Sequence, residues 1–303
     1  MRILVIGAGA IGGYFGGRLM EKGEDITFLV RENRYRQLTE GGLVVNSIHG
    51  DMKLTPKLLR DGERADPFDV VLLATKAYHL NGAIKSMRPY IGEETMILPL
   101  LNGIAHIDKL VEEFGEKRIL GGLCFIETTL NEKGHVVQTS PVHRLVFGER
   151  NGEETERIKT LQTVFEGTKG QFEYSKNINQ SMWEKYLFIA TFSGITTLMR
   201  APIGPIREAM SGKLSIKQIC HEVQSIMQSM GAPITSASGK ATLEKIAELN
   251  AEMKSSMQRD MEKGMATEAD HFFHYLLEHA NFIDSTPILH LIFTNLKVYE
   301  SSI

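Results

Sequence analysis

The stretch Arg2–Gly17, RILVIGAGAIGGYFGG, constrains this chain more than any other. Residues 2–6 form a short apolar run that stops at Gly7, the pattern of a strand buried on both faces. From Gly12 to about Lys22 the spacing predicts a helix that opens on glycines and closes at Gly23. Residues 26–30 (ITFLV) predict a second strand, so the opening segment takes βαβ form. Gly7, Gly9 and Gly12 complete G-x-G-x-x-G at the strand-to-helix junction. The first glycine permits a tight turn, the second lets backbone approach a pyrophosphate, and the third lets helix and strand pack closely. Between them Ala8, Ala10 and Ile11 carry backbone N–H groups toward an anion at the helix N-terminus. The bland alternative is a glycine-rich turn with no ligand. Its place between strand and helix favours a dinucleotide.

The end of the second predicted strand bears on which dinucleotide. A site for NAD usually has Asp or Glu here, binding the ribose 2′-hydroxyl. This chain has Arg31, nineteen residues after Gly12. A guanidinium grips a 2′-phosphate with paired hydrogen bonds, whereas a carboxylate repels it. Arg34 and Arg36 add positive charge nearby, and Glu32 is the opposing feature. The expectation is therefore NADPH/NADP+ rather than NAD. Lys76 follows the apolar run Val70–Ala74 on the carboxyl edge of the predicted sheet, either as a phosphate contact or as a solvated loop lysine.

Further apolar runs at Val70–Ala74 and Met96–Leu100 alternate with helical stretches near 79–88 and 104–114, which implies a largely parallel sheet with helices on both faces. Segments near 120–129, 135–139, 143–147 and 171–174 predict shorter strands, hairpins added late to that sheet and punctuated by Gly134 and Pro141. From Asn179 onward helical periodicity dominates, with breaks at Ala201–Pro205, Gly231–Pro233 and Gly264. The expected architecture is α/β plus all-α: a Rossmann dinucleotide-binding domain over residues 1–175, then an all-helical domain over 176–303.

Met182–Ser193 reads as a largely buried helix interrupted by Lys185, on a face shared with Ile189 and Ser193. A lysine there is paired, snorkelling or functional, since an unpartnered buried ammonium is costly. Glu184 points about 100° away on the same helix and is not its partner. Asn102 follows the Met96–Leu100 run, as a site residue or as the first half of an Asn-Gly turn. Thr267-Glu268-Ala269-Asp270 fits a capping box, which puts Glu268 in a first helical turn where the helix dipole favours its ionised form.

Composition excludes several classes. A net charge of −3 argues against nucleic-acid or membrane-surface partners, which need basic patches. The run Tyr186–Met199 is shorter than the roughly 20 residues that span a bilayer. The apolar start enters a glycine turn without a basic leader, and Cys124 and Cys220 are too few for a disulfide framework, so a cytoplasmic location is expected. The ten histidines are scattered without metal-ligand spacing, so no metal is expected. Whether the chain is a monomer or a homodimer stays open.

Taken in order, GAGAIGGYFGG, Thr75-Lys76-Ala77, Leu101-Asn102-Gly103, Trp183-Glu184-Lys185 and Ser255-Ser256-Met257…Thr267-Glu268 resemble the ketopantoate reductases (2-dehydropantoate 2-reductases) over the length of the chain. The resemblance implies a Rossmann domain and a helical domain with the active site between them. It implies reduction of 2-dehydropantoate by NADPH to (R)-pantoate, on the route to pantothenate and coenzyme A. Lys185 matches the family's catalytic lysine and Glu268 its glutamate at the reacting oxygen. Asn102 and Ser256 match substrate-binding residues; Gly7, Gly9, Gly12 and Arg31 match the NADPH site. The family carries two asparagines four and eight residues after the lysine; here those positions are Ile189 and Ser193, and Gly194 replaces the usual following proline. Isoleucine cannot replace an amide's hydrogen bonds, at a cost of roughly 1–3 kcal/mol for a substrate hydroxyl left unpaired. A paralogue acting on a more apolar 2-oxo acid is thus the second expectation. A β-hydroxyacid or glycerol-phosphate type dehydrogenase lacks its lysine motif and basic cluster here. A silent NADPH-binding regulator has no need of Lys185, Asn102 and Glu268 together.

Overall fold

The computed structural model describes residues 1–280 and 285–303. It divides into two compact units, residues 1–102 with 106–179, and residues 103–105 with 180–303.

Up to residue 174 the chain runs β1 (Arg2–Ile6), α1 (Ala10–Lys22), β2 (Asp25–Val30), α2 (Glu32–Gly41), β3 (Leu43–Ser47), β4 (Met52–Leu54), β5 (Lys57–Arg60), β6 (Phe68–Leu73), α3 (Leu80–Met87), β7 (Ile91–Pro99), α4 (Ala105–Phe114), β8 (Gly121–Leu130), β9 (Val136–Gly148), α5 (Glu156–Phe165) and β10 (Gln171–Tyr174). Five of these strands form an entirely parallel sheet in the order β5-β2-β1-β6-β7. The order reverses between β1 and β6, the point at which open parallel sheets bind ligands beyond their carboxyl ends. Its central strands are buried on both faces, which is why they read as unbroken apolar runs.

The later strands do not join this sheet, contrary to expectation: β8 and β9 form an antiparallel hairpin, but in a second sheet. Its order is β10-β9-β3-β4, with β8 antiparallel to β9. The predicted strands at 135–139 and 143–147 are one strand, β9. Pro141 lies where pairing with β8 jumps from Ile126↔His143 to Thr128↔Gln138, so its missing N–H falls in the irregularity and breaks no rung.

Helix α1 lies between the two sheets, and its glycines explain how. A side chain on Gly16 would sit 2.9 Å from Phe28 and Val5 of the parallel sheet. A side chain on Gly13 would meet Val136 at 2.9 Å, and one on Gly17 would meet Met52 at 2.6 Å, both from the second sheet. Gly12 is tighter still: its Cβ would lie 2.1 Å from the Gly7 carbonyl oxygen. Tyr14 and Arg18, both fully buried, fasten the helix on its remaining side. The Tyr14 hydroxyl bonds His143 Nδ1 at 2.6 Å, and His143 stacks on His49 with ring centroids 3.6 Å apart. Arg18 reaches the Gly50 carbonyl at 2.7 Å and Glu21 at 2.8 Å.

The second unit is helical: α6 (Ile178–Met199), α7 (Ile203–Glu208), α8 (Gly212–Ser229), α9 (Ser236–Glu248), α10 (Ser256–Glu262), a π-turn at Asp270–His274 running into α11 (Tyr275–Glu278), and α12 (Pro287–Glu300). No strand follows β10 among the described residues. The expected break at 201–205 is shorter than predicted, because Pro202 caps α7 and Pro205 falls in its first turn, where a missing N–H costs nothing. No helix among the described residues is long and apolar enough to cross a membrane.

Two predictions follow from the packing of α1. Gly12→Ala should lose roughly 1–3 kcal/mol or more by overpacking, in urea-induced unfolding. Gly9→Ala, at a position where a Cβ meets nothing within 4 Å, should stay within about 1 kcal/mol of the parent protein. Acid should also weaken this unit through His143, whose pKa is held below its usual value by burial first, then by the charges of His49 and Arg18. The unfolded chain takes up that proton first, so the contribution is complete above about pH 6.5 and is lost progressively as pH falls from there. Unfolding at about pH 7.5 and about pH 5.5 should show a smaller acid loss for His143→Asn than for the parent. Equal losses would exonerate His143.

Candidate functional site

The glycine turn joins β1 to α1 at the point where the sheet order reverses. Gly7 has φ +93°, and a Cβ there would press to 2.9 Å on the Ala74 carbonyl oxygen at the end of β6. The first α-helical bond of α1 runs from Gly13 N–H to Gly9 O at 2.8 Å, so the N–H groups of Ala10, Ile11 and Gly12 precede the helix's own ladder. Gly9 is open above: no atom lies within 4 Å of its would-be side chain. The turn therefore combines donors with space for an anion at a positive helix end.

Arg34 is more specific than the general positive charge read from the sequence. Its Nε donates to the Ala8 carbonyl at 2.9 Å and its Nη1 to the Gly134 carbonyl at 2.7 Å, tying the glycine turn to the β8–β9 connection. Its Nη2 is buried and has no partner among the described residues, and burial lowers the guanidinium's pKa. The Thr75 hydroxyl, just past β6, is likewise buried and unpartnered. Two orphaned donors beside an open glycine fit the diphosphate of a dinucleotide. Nothing local in the sequence marks Arg34 for this, because its partners lie 26 and 100 residues away.

Arg31 caps α2 with an exposed side chain. Its Nη2 reaches to 3.6 Å from where a side chain on Gly82 would stand, at the start of α3. Glu32, the opposing charge, faces two cations, Arg36 at 3.4 Å and Arg60 at 3.9 Å. Lys76, half-buried, caps a 3-10 turn at Ala77–His79. Asn102, half-buried, precedes Gly103 at φ +81°, the backbone of an Asn-Gly turn.

In the helical unit Lys185, Ile189 and Ser193 follow one another at four-residue spacing along α6, the first two half-buried and the third buried. Adjacent to Lys185, the Tyr186 hydroxyl donates to the Phe272 carbonyl at 2.6 Å, and burial holds its pKa well above the usual range. Phe272 N–H in turn donates to the Glu268 carbonyl at 3.0 Å. Further along α6 the Thr196 hydroxyl bonds Ser255 Oγ at 2.8 Å, and Ser255 caps α10 through Gln258 N–H at 3.1 Å. Ser256, exposed, is the next residue. The structure thus ties α6 to the segment headed by Glu268 at Tyr186 and to the head of α10 at Thr196.

The capping box expected at Thr267–Asp270 does not form. The Thr267 hydroxyl donates to Glu300 at 2.5 Å and its N–H points to the same carboxylate, while the Asp270 carboxylate pairs with Lys297 at 3.0 Å. Two charged side chains from α12 outcompete the local exchange. Glu268, 8% exposed, consequently stands at the cap position rather than in the first turn. The π-turn that follows inserts an extra residue per turn, a distortion common beside functional groups.

Comparison with known proteins gives one family. The model described as "Ketopantoate reductase PanE/ApbA" matches residues 3–152, and its C-terminal counterpart matches residues 177–300. The uncharacterized oxidoreductase YkpB of Bacillus subtilis is 43% identical, covering 99% of both chains. A crystal structure of 2-dehydropantoate 2-reductase from Geobacter metallireducens is 29% identical with a TM-score of 0.87, covering 98% of this chain and 99% of that one. D-mandelate dehydrogenase, in a ternary structure with NADH and anilino(oxo)acetate, shares the fold with a TM-score of 0.88 at 21% identity, covering 100% of this chain and 99% of its own. With a parallel sheet in the first unit and helices in the second, this chain belongs to the ketopantoate reductase family and is an oxidoreductase of that type.

Proposed function

We propose that this protein reduces a 2-oxo acid with NADPH, and that 2-dehydropantoate, yielding (R)-pantoate for pantothenate and coenzyme A synthesis, is its first candidate substrate. The observation that carries the reading is the α6 face on which Lys185, Ile189 and Ser193 align, stitched by Tyr186 and Thr196 to the segments bearing Glu268 and Ser256. Bound NADPH supplies the hydride. Lys185, as an ammonium, stabilises the negative charge growing on the ketone oxygen and then gives that oxygen a proton. Glu268 favours the protonated amine, and Asn102 and Ser256 orient the polar groups of the acid. Gly7 to Gly12 hold the diphosphate through backbone N–H groups, Lys76 adds charge beside them, and Arg31 selects the 2′-phosphate.

Ile189 favours a second reading of the same site. An aliphatic side chain four residues after the lysine suits a more apolar 2-oxo acid than one carrying a hydroxyl. The D-mandelate dehydrogenase that shares this fold is named for a hydroxy acid with an aromatic side chain. Both readings keep the same chemistry and differ only in the group beside the ketone.

NADPH oxidation measured with 2-dehydropantoate and a panel of branched and aromatic 2-oxo acids should show turnover with at least one. Lys185→Ala should lower that rate by about 100-fold or more while NADPH still binds. A variant as fast as the parent removes the lysine from the chemistry. Arg31→Ala should weaken NADPH by roughly tenfold or more and NADH much less; equal losses would leave the cofactor preference without support.

A further inference from the structure

Beyond Arg31, a second arginine stands at the same edge of the sheet and no motif marks it. Strands β2 and β5 are parallel neighbours, and their last rung pairs Val30 with Arg60. Arg60 is therefore one strand spacing, about 4.8 Å, from the residue that precedes Arg31. Both arginines line a groove of about 560 Å³ beyond the carboxyl ends of these strands, together with Glu32, Asp61 and Glu63. Because the sheet order is β5-β2-β1-β6, they flank the end of β2 from opposite sides. Arg31 reaches toward α3, with Nη2 3.6 Å from the would-be side chain of Gly82, and Arg60 closes the β5 side.

Arg60 is preset, not loose. The turn Arg60-Asp61-Gly62-Glu63 is closed by Glu63 N–H to Arg60 O at 3.1 Å, with Gly62 at φ +84°. The hydroxyl of fully buried Tyr90 fixes it by donating to the Glu63 carbonyl at 2.7 Å. Within the turn the Glu63 carboxylate takes both the Arg60 N–H at 3.0 Å and its Nε at 2.7 Å. The guanidinium also lies over the Tyr35 ring, 4.9 Å from its centroid, with Nη1 3.9 Å from Glu32. A planar cation held by its Nε edge and one face, with Nη1 turned toward Glu32, keeps Nη2 for a tetrahedral oxyanion.

We infer that Arg60 is a second specificity-determining cation for the 2′-phosphate of the adenosine ribose, and that Glu63, by holding it, sets how strongly it discriminates. This rests on the NADPH reading above. Three carboxylates and two guanidinium groups leave the groove without surplus positive charge. An anionic phosphate therefore binds only where a guanidinium is aimed at it, and neutralising a carboxylate should strengthen it.

The test uses fragments that differ in the one group at issue, 2′,5′-ADP and 5′-AMP, titrated calorimetrically into the full-length protein. The parent should prefer 2′,5′-ADP. Arg60→Ala should weaken 2′,5′-ADP by about tenfold and 5′-AMP by less than about twofold, with Arg60→Lys in between. Glu63→Gln should move the ratio the other way, tightening 2′,5′-ADP about threefold or more. If Arg60→Ala weakens both nucleotides by the same factor, or if neither Arg60→Ala nor Glu63→Gln changes the ratio while Arg31→Ala does, the inference is overturned and the NADPH reading stands. A parent protein that binds the two fragments equally sinks both.

Discussion

The nucleotide-binding unit is organised around a helix with almost no room. Two sheets close on α1 from opposite sides, and at four positions, Gly12, Gly13, Gly16 and Gly17, a single added carbon would collide. This close approach brings the helix N-terminus against the end of β1 and sets the shape of the glycine turn. The backbone entropy of so many helical glycines is a real cost, on the order of 0.5–1 kcal/mol each relative to alanine. It is offset by apolar burial of Phe28, Val5, Leu43 and Val136 against the bare helix backbone. Gly12 belongs both to the glycine turn and to this packing, so the turn cannot be altered there without the core responding.

This is also why the sequence disclosed some features and concealed others. The turn itself was legible, because Gly7, Gly9 and Gly12 act within six residues of one another and their spacing carries the mechanism. Gly13, Gly16 and Gly17 were visible but mute, since their reason is a second sheet assembled from β3, β4, β8, β9 and β10. That sheet depends on Val45 pairing with Val136, 91 residues away, a long-range contact that no local periodicity announces. β4 and β5 span only Met52–Leu54 and Lys57–Arg60, too short for alternation to declare them. Pro141 misled in the other direction: it reads as a strand terminator, yet β9 runs through it, because four residues bulge where β8 supplies one.

In the helical unit the same split appears at the level of single side chains. Lys185 was legible as an anomaly, a cation in an otherwise apolar run. Its surroundings were not, because the Tyr186–Phe272 and Thr196–Ser255 bonds join residues 86 and 59 positions apart. The failed capping box at Thr267 makes the point in reverse. A local motif was present in full, and carboxylate and ammonium groups of Glu300 and Lys297, arriving from α12, took its partners. Charge-assisted hydrogen bonds are roughly twice as strong as neutral ones, so a distant carboxylate displaces a nearby amide.

The two compact units also divide the tasks, and that division decides what a substitution can reveal. The glycine turn, Arg31, Arg34 and Arg60 lie in the first unit, and Lys185, Glu268 and the α6 face in the second. In the proposed reading cofactor choice rests on charge at a sheet edge, where solvent screens each ion pair and several must act together. In the same reading substrate choice rests on α6, a helix whose threonine hydroxyls bond to its own carbonyls, Thr191 to Leu187 at 2.8 Å and Thr197 to Ser193 at 2.6 Å. Ile189, between Lys185 and Ser193 on one face, adds an aliphatic group there and so favours apolar contact on that face. Under the proposed reading, a change in the acid accepted would fall on residues of the second unit and leave the glycine turn and its arginines in the first unit untouched.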